Sequence, residues 1–130
     1  MTIEMTLLAW TLLLAVVQIV LPASLRTRET GVAYNLGPRD LPGPPLGIVT
    51  GRLYRAQHNL FETLPLFIGA VLLAHVTHRE STLTTWGAAL YLGGRVLYVP
   101  LYAFGVPVVR TAAFGLALAG LAMVLLALLG

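Results

Sequence analysis

Long apolar stretches, separated by short polar segments, most constrain what this chain can fold into. The first runs from Met5 to Leu21 and approaches the ~20 residues that a helix needs to cross a bilayer. Hydrophobic residues make up 58% of the 130 residues and charged residues only 10%, a balance too apolar for a soluble domain of this size. We therefore predict an integral membrane protein.

The sequence predicts four membrane spans within one membrane domain that covers residues 1–130. The spans lie at about residues 5–25, 48–76, 83–99 and 108–129. Residues 26–47 are predicted to form the main loop, because this segment carries several arginines and the proline-rich run Pro42–Pro45, which no helix can traverse. The short remaining connections favour an all-α, antiparallel four-transmembrane-helix bundle.

The arginine distribution predicts the orientation of these spans. All eight Lys or Arg residues are arginine, and seven of them lie around the first and third loops, whereas Arg79 lies on the opposite side. The positive-inside rule then places the first loop in the cytoplasm and both termini outside. The chain starts without the basic segment of a signal peptide, so we expect the first span to be retained. The short loops favour a bacterial inner membrane.

The absence of certain residue types and patterns limits the reactions and the ligands that are open to this chain. The chain has no cysteine, so any thiol chemistry must use the sulfur of a ligand. The three histidines lack carboxylate partners at a convincing spacing, and no metal site is predicted. Nucleic-acid binding is disfavoured as well, because a chain this apolar offers no solvated basic face.

The second predicted span carries a polar stripe. On a helix, Arg52, Arg55, His58, Asn59 and Glu62 fall within an arc of roughly 120°. Because charged groups are costly against lipid, this stripe must face protein, water or a polar ligand. Its cations, amide and carboxylate would suit a zwitterionic peptide. The alternative is an internal network in which Glu62 neutralises Arg55 and only stabilises the bundle.

Polar residues of the other spans leave their roles open. On the third span Arg95, Tyr98 and Tyr102 share one face at spacings of three and seven residues, and they could form a second wall of the same site. Either tyrosine could equally be an interfacial aromatic with its hydroxyl among the lipid headgroups. Arg110 could extend to a lipid phosphate or hold an anion in the site. Gln18 in the first span is expected to bond across a helix interface.

The run from Tyr54 to Glu62, followed by Pro65-Leu66-Phe67, resembles the signature of the MAPEG family, membrane-associated proteins of eicosanoid and glutathione metabolism. The motif is most similar to that of the leukotriene-forming glutathione transferases in this family. The resemblance implies a homotrimer in which glutathione, as the thiol co-substrate, lies between neighbouring protomers near the cytoplasmic side. A hydrophobic, lipid-like second substrate would then reach the site from the surrounding membrane lipids.

Carried over by position, the resemblance also implies site residues. The glutathione-binding residues would be Arg52, Arg55, Gln57, Asn59 and Glu62 of the second span and Arg95, Tyr98 and Tyr102 of the third. Arg110 would be the catalytic residue, because a guanidinium in a low-dielectric site stabilises a thiolate. Thr63 departs from the pattern, since the most similar enzymes carry a tyrosine there.

We therefore expect a membrane-bound glutathione transferase or glutathione-dependent peroxidase that acts on a hydrophobic electrophile from the bilayer by thiolate attack. The alternative is a noncatalytic membrane lipid-binding or scaffold protein of the same fold, because a fold does not by itself establish turnover. A transporter is a more distant alternative, because the polar residues are concentrated near one side of the membrane.

Overall fold

The computed structural model describes residues 1–130 and is entirely helical. Its five helices are α1 (Ile3–Thr30), α2 (Val32–Leu36), α3 (Ile48–Val76), α4 (Thr82–Ala103) and α5 (Pro107–Leu129). Three of them, α1, α3 and α5, are long and apolar enough to cross a membrane. The prediction of an all-α membrane protein is thus confirmed. Helix α4 is not among the three, and it is the helix that carries Arg95 and three tyrosines.

Helix α1 is longer than the first predicted span. It begins after Thr2, whose hydroxyl accepts a hydrogen bond from the Met5 N–H at 3.3 Å. It continues through Pro22 to Thr30, and Gly31 ends the helix with a φ of 91°. Helix α2 follows after Gly31, so residues 37–47 form the one continuous irregular stretch of the expected loop. The loop expected over residues 26–47 is therefore corrected to about its second half.

Glu29 ties the end of α1 to the start of α3. Its carboxylate accepts hydrogen bonds from the Gly47 N–H and the Thr50 hydroxyl. A negative charge is favourable at this position because the first N–H groups of a helix have no intrahelical partner. Within the loop, the Gly43 N–H donates to the Tyr34 hydroxyl at 2.9 Å. These contacts set the antiparallel register of α1 and α3.

Glu4 holds the opposite end of α1. This buried carboxylate accepts hydrogen bonds from the Thr84 hydroxyl at 3.0 Å and from the Thr85 hydroxyl, both in the first turn of α4. The neighbouring Thr2 hydroxyl donates to Glu80 at 2.7 Å, in the turn between α3 and α4. Helix α1 is thus fixed at both ends, antiparallel to α3 and parallel to α4.

Helices α4 and α5 make the most extensive helix–helix contact of the chain. Glycine makes their close approach feasible, because a Cβ atom on Gly94 would lie 2.7 Å from the Ala113 carbonyl oxygen and 2.8 Å from the Ala117 nitrogen. Gly87 and Gly120 face each other in the same way. Small residues of this kind let helix backbones pack tightly in a membrane. The contact places the start of α5 beside the end of α4, where the polar side chains lie.

Candidate functional site

A small open cavity lies where α3, α4 and α5 meet. Its volume is about 200 Å³, and its lining residues are Asn59, Tyr98, Tyr102, Arg110, Thr111 and Phe114. Ligand pockets typically measure about 300–1,000 Å³, so this cavity can enclose only part of a peptide-sized molecule. The remainder of such a ligand would have to extend over the neighbouring helix surfaces.

Arg95 supports one wall of this cavity from inside the bundle. The residue is 0% exposed, and its Nη1 donates to the Asn59 Oδ1 at 2.6 Å, while its Nη2 donates to the Ala56 carbonyl at 3.4 Å. Its guanidinium carbon lies 4.4 Å from the centroid of the Tyr98 ring. Arg95 therefore orients Asn59 and Tyr98, and it does not line the cavity itself.

Two arginine side chains lie against Tyr102. The guanidinium carbon of Arg110 is 4.5 Å from the Tyr102 ring centroid, and that of Arg55 is 5.8 Å from it. The Arg55 Nε also donates to the Tyr102 hydroxyl at 3.2 Å. Neither arginine forms a salt bridge, since the only one in the chain joins His75 and Glu80. Two cations without a carboxylate partner, Arg110 in the lining of the cavity and Arg55 against Tyr102, favour an anionic ligand.

Glu62 lies on the same polar stripe of α3 and is exposed. It forms no salt bridge with Arg55, so the internal ion pair considered from the sequence is absent from the structure. His58 and Arg55 are exposed on this face as well. The outward face of α3 thus presents a carboxylate and a cation that are both free to bind a zwitterion.

Two of the residues carried over from the family resemblance lie away from the cavity within one chain. The Arg52 Nη1 donates to the Ala103 carbonyl at 3.3 Å, and its guanidinium packs against Gly105, a glycine with a φ of 71°. Arg52 is thus engaged with the turn between α4 and α5. Gln57 lies about 160° around α3 from Asn59 and points to a different side of the helix.

The structure adds two lining residues that the sequence reasoning missed, Thr111 and Phe114. Phe114 follows Arg110 by four residues and so shares its helical face, a spacing that could have identified it. Its ring centroid lies 6.3 Å from that of Tyr98. Thr63 does not reach the cavity, because its hydroxyl bonds with the Tyr91 hydroxyl at 2.8 Å in the bundle interior.

Comparison with known protein families gives one match. The sequence model of the MAPEG family matches residues 7–130, and this range includes every residue that lines the cavity. No curated protein matches the chain. The family match therefore extends over nearly the whole chain and is not confined to the polar stripe of α3.

Proposed function

The chain belongs to the MAPEG family, which includes glutathione transferases and related proteins, and we propose that it is a membrane-bound glutathione transferase. In this proposal the thiolate of glutathione attacks a hydrophobic electrophile that arrives from the bilayer. In the related peroxidase reaction, two glutathione molecules reduce a lipid-like hydroperoxide to its alcohol and water and are oxidised to glutathione disulfide. The observation that carries the proposal is that two arginines without a carboxylate partner, Arg55 and Arg110, both contact Tyr102, which lines the cavity.

Glutathione matches the charges of this site. The tripeptide has two carboxylates, one ammonium group, two amide links and a thiol. Arg55 and Arg110 are available for anionic groups, Glu62 is available for the ammonium group, and the Asn59 amide can bond a peptide link. Because the cavity measures only about 200 Å³, we place one end of the tripeptide there and the other over the exposed face of α3.

Arg110 is the residue best placed to stabilise the thiolate. It lies in the first turn of α5, where the positive end of the helix dipole adds to its own charge. A free cysteine thiol has a pKa of about 8.5, and a neighbouring guanidinium lowers the pKa of a thiol. The sulfur then forms a bond to the electrophilic carbon, the bond from that carbon to its leaving group breaks, and the leaving group departs with the electron pair while the thiol proton is released to solvent.

We further propose a fourth span and a trimer. Helix α4 packs between α3 and α5 with its arginine fully buried, so it exposes no charge that would prevent it from crossing the bilayer. The exposed Arg55, His58 and Glu62 of α3 would be costly against lipid. A neighbouring copy that covers this face would remove the cost and enclose a ligand between protomers. The first loop would be cytoplasmic, in a bacterial inner membrane.

A conjugation assay tests the proposed function. Purified protein in detergent should accelerate the reaction of glutathione with 1-chloro-2,4-dinitrobenzene at pH 7 by at least about tenfold, because only about 3% of a thiol with a pKa of about 8.5 is ionised there. Cumene hydroperoxide tests the peroxidase reaction in the same preparation. S-methylglutathione, which has no free thiol, is the matched negative control. A folded protein that accelerates neither reaction would favour a noncatalytic lipid-binding or scaffold role.

A further inference from the structure

Gln18 is a polar residue buried within the apolar bundle. It is 3% exposed, and neither its Nε2 nor its Oε1 has a hydrogen-bond partner in the chain. Buried polar atoms of proteins nearly always have a partner, and an unpaired amide is especially costly in a membrane span. The Gln18 side chain therefore requires a partner inside the bundle.

Gln18 lies within about one helical turn of the depth of Arg95. Val17 of α1 and Val96 of α4 line one apolar groove between these two parallel helices. Counting along the helices from the contact between Glu4 and Thr84 places Gln18 level with about residue 98 of α4. Gln18 and Arg95 are both buried, so each is directed away from the outer surface on which the groove opens.

The register of α1 and α3 leads to the same placement. The two helices are antiparallel, and Glu29 of α1 contacts Thr50 of α3. Gln18 precedes Glu29 by about three turns, so it lies level with about residue 61 of α3. Arg95 bonds to Asn59, half a turn from that level. Helix α1 contacts both α3 and α4. The two counts thus place Gln18 in the same layer of the bundle as the buried Arg95 and the half-buried Asn59.

One of the three guanidinium nitrogens of Arg95 has no hydrogen-bond partner. Its two terminal nitrogens donate to Asn59 and to the Ala56 carbonyl, whereas its buried Nε has no partner. The Nε–H is a donor and the Gln18 Oε1 is an acceptor, so the two unpaired groups are complementary. They form no direct hydrogen bond, but a single water can accept from one group and donate to the other.

We propose that Gln18 is a positioning residue of the candidate site. Its amide completes the hydrogen bonds of Arg95 through one buried water, and Arg95 in turn holds Asn59 in the orientation that binds the ligand. The effect on ligand binding rests on the proposed function, whereas the link between Gln18 and Arg95 does not. An apolar residue at position 18 leaves the Arg95 Nε without a partner and frees the guanidinium to turn away from Asn59.

Nuclear magnetic resonance of the arginine Nε–H groups tests the link without any ligand. In protein labelled with nitrogen-15 arginine, the Gln18→Met variant should shift the Arg95 Nε–H signal and speed its exchange with solvent, because methionine keeps the shape but removes the amide. Thr11→Val is the matched control, since Thr11 is equally buried on α1 and its hydroxyl donates locally to the Leu7 carbonyl at 2.8 Å. An unchanged Arg95 signal in folded Gln18→Met would overturn the link.

Glutathione binding tests the positioning role. Gln18→Met should raise the Kd for glutathione about tenfold, the effect of losing one hydrogen bond to a charged group, and should change kcat much less. Gln18→Glu should keep the affinity of the wild type, because its carboxylate can accept from the same water that accepts from the Arg95 Nε–H. A shifted Arg95 signal with an unchanged Kd would overturn the positioning role. If the wild type binds no glutathione, the proposed function fails, and the resonance comparison alone decides the link.

Discussion

The Arg110→Ala variant is expected to lose turnover by about 10²-fold or more while its affinity for glutathione changes much less. The reason is that the guanidinium of Arg110 would act mainly on the thiolate, whereas Arg55, Asn59 and Glu62 would hold the rest of the tripeptide. Removing the charge returns the thiol toward its ordinary pKa and lowers the reactive fraction at pH 7. Measurement of kcat at saturating glutathione, together with the Kd, separates the two effects.

The pH dependence of the same variant adds a second readout. With the guanidinium removed, the conjugation rate should keep rising up to higher pH, because the thiolate forms only nearer the ordinary pKa of the thiol. Val109→Ala is a suitable control, since Val109 is the preceding residue of α5, is 53% exposed and does not line the cavity. An Arg110→Ala variant with the turnover of the wild type would remove Arg110 from the mechanism.

The Gly120→Val variant is expected to lower the free energy of unfolding by about 3 kcal/mol or more. A Cβ atom at this position would collide with the Gly87 carbonyl oxygen and would lie 2.6 Å from the Tyr91 nitrogen. Both are backbone atoms of α4, so the helices would have to move apart. Because this contact sets α5 beside α4, the separation should also displace the wall that carries Arg110.

A second glycine of α5 provides the comparison for this packing effect. Gly115 has nothing within 4 Å of an added Cβ atom, so Gly115→Val should leave the thermal midpoint in detergent unchanged or slightly higher. Circular dichroism and size-exclusion chromatography during heating would report both variants. Equal midpoints for Gly120→Val and the wild type would contradict the close α4–α5 packing.

The sequence predicted the helical membrane class because long apolar runs leave few other structures open to a chain. It placed the second span at residues 48–76, the bounds of α3, since the polar stripe and the proline-rich loop mark that helix clearly. The predicted end of the first span was wrong. The arginines of residues 26–30 suggested a loop, whereas the helix continues to Thr30 and ends at Gly31. Charge alone does not end a helix, because arginine has a high helix propensity.

The sequence predicted only part of the candidate site. Helical spacing grouped Arg55, Asn59 and Glu62 on one face, and the structure keeps them on that face. Spacing could not show that Arg95 is buried beneath Asn59, because this contact joins two helices across 36 residues of chain. A family resemblance likewise assigns Gln57 to the site without saying which side of α3 it occupies.

Calorimetric titration of the detergent-purified protein with glutathione tests the central claim most directly. The informative comparison is the Arg55→Ala/Glu62→Ala double variant, which removes both free charges of α3 and leaves the net charge at +3. An Arg39→Ala/Asp40→Ala double variant makes the same charge change in the exposed loop and is the matched control. We expect the wild type and the loop variant to bind glutathione and the α3 variant to lose most of its affinity. Absence of binding by the folded wild type, or equal binding by the α3 variant, would contradict the account.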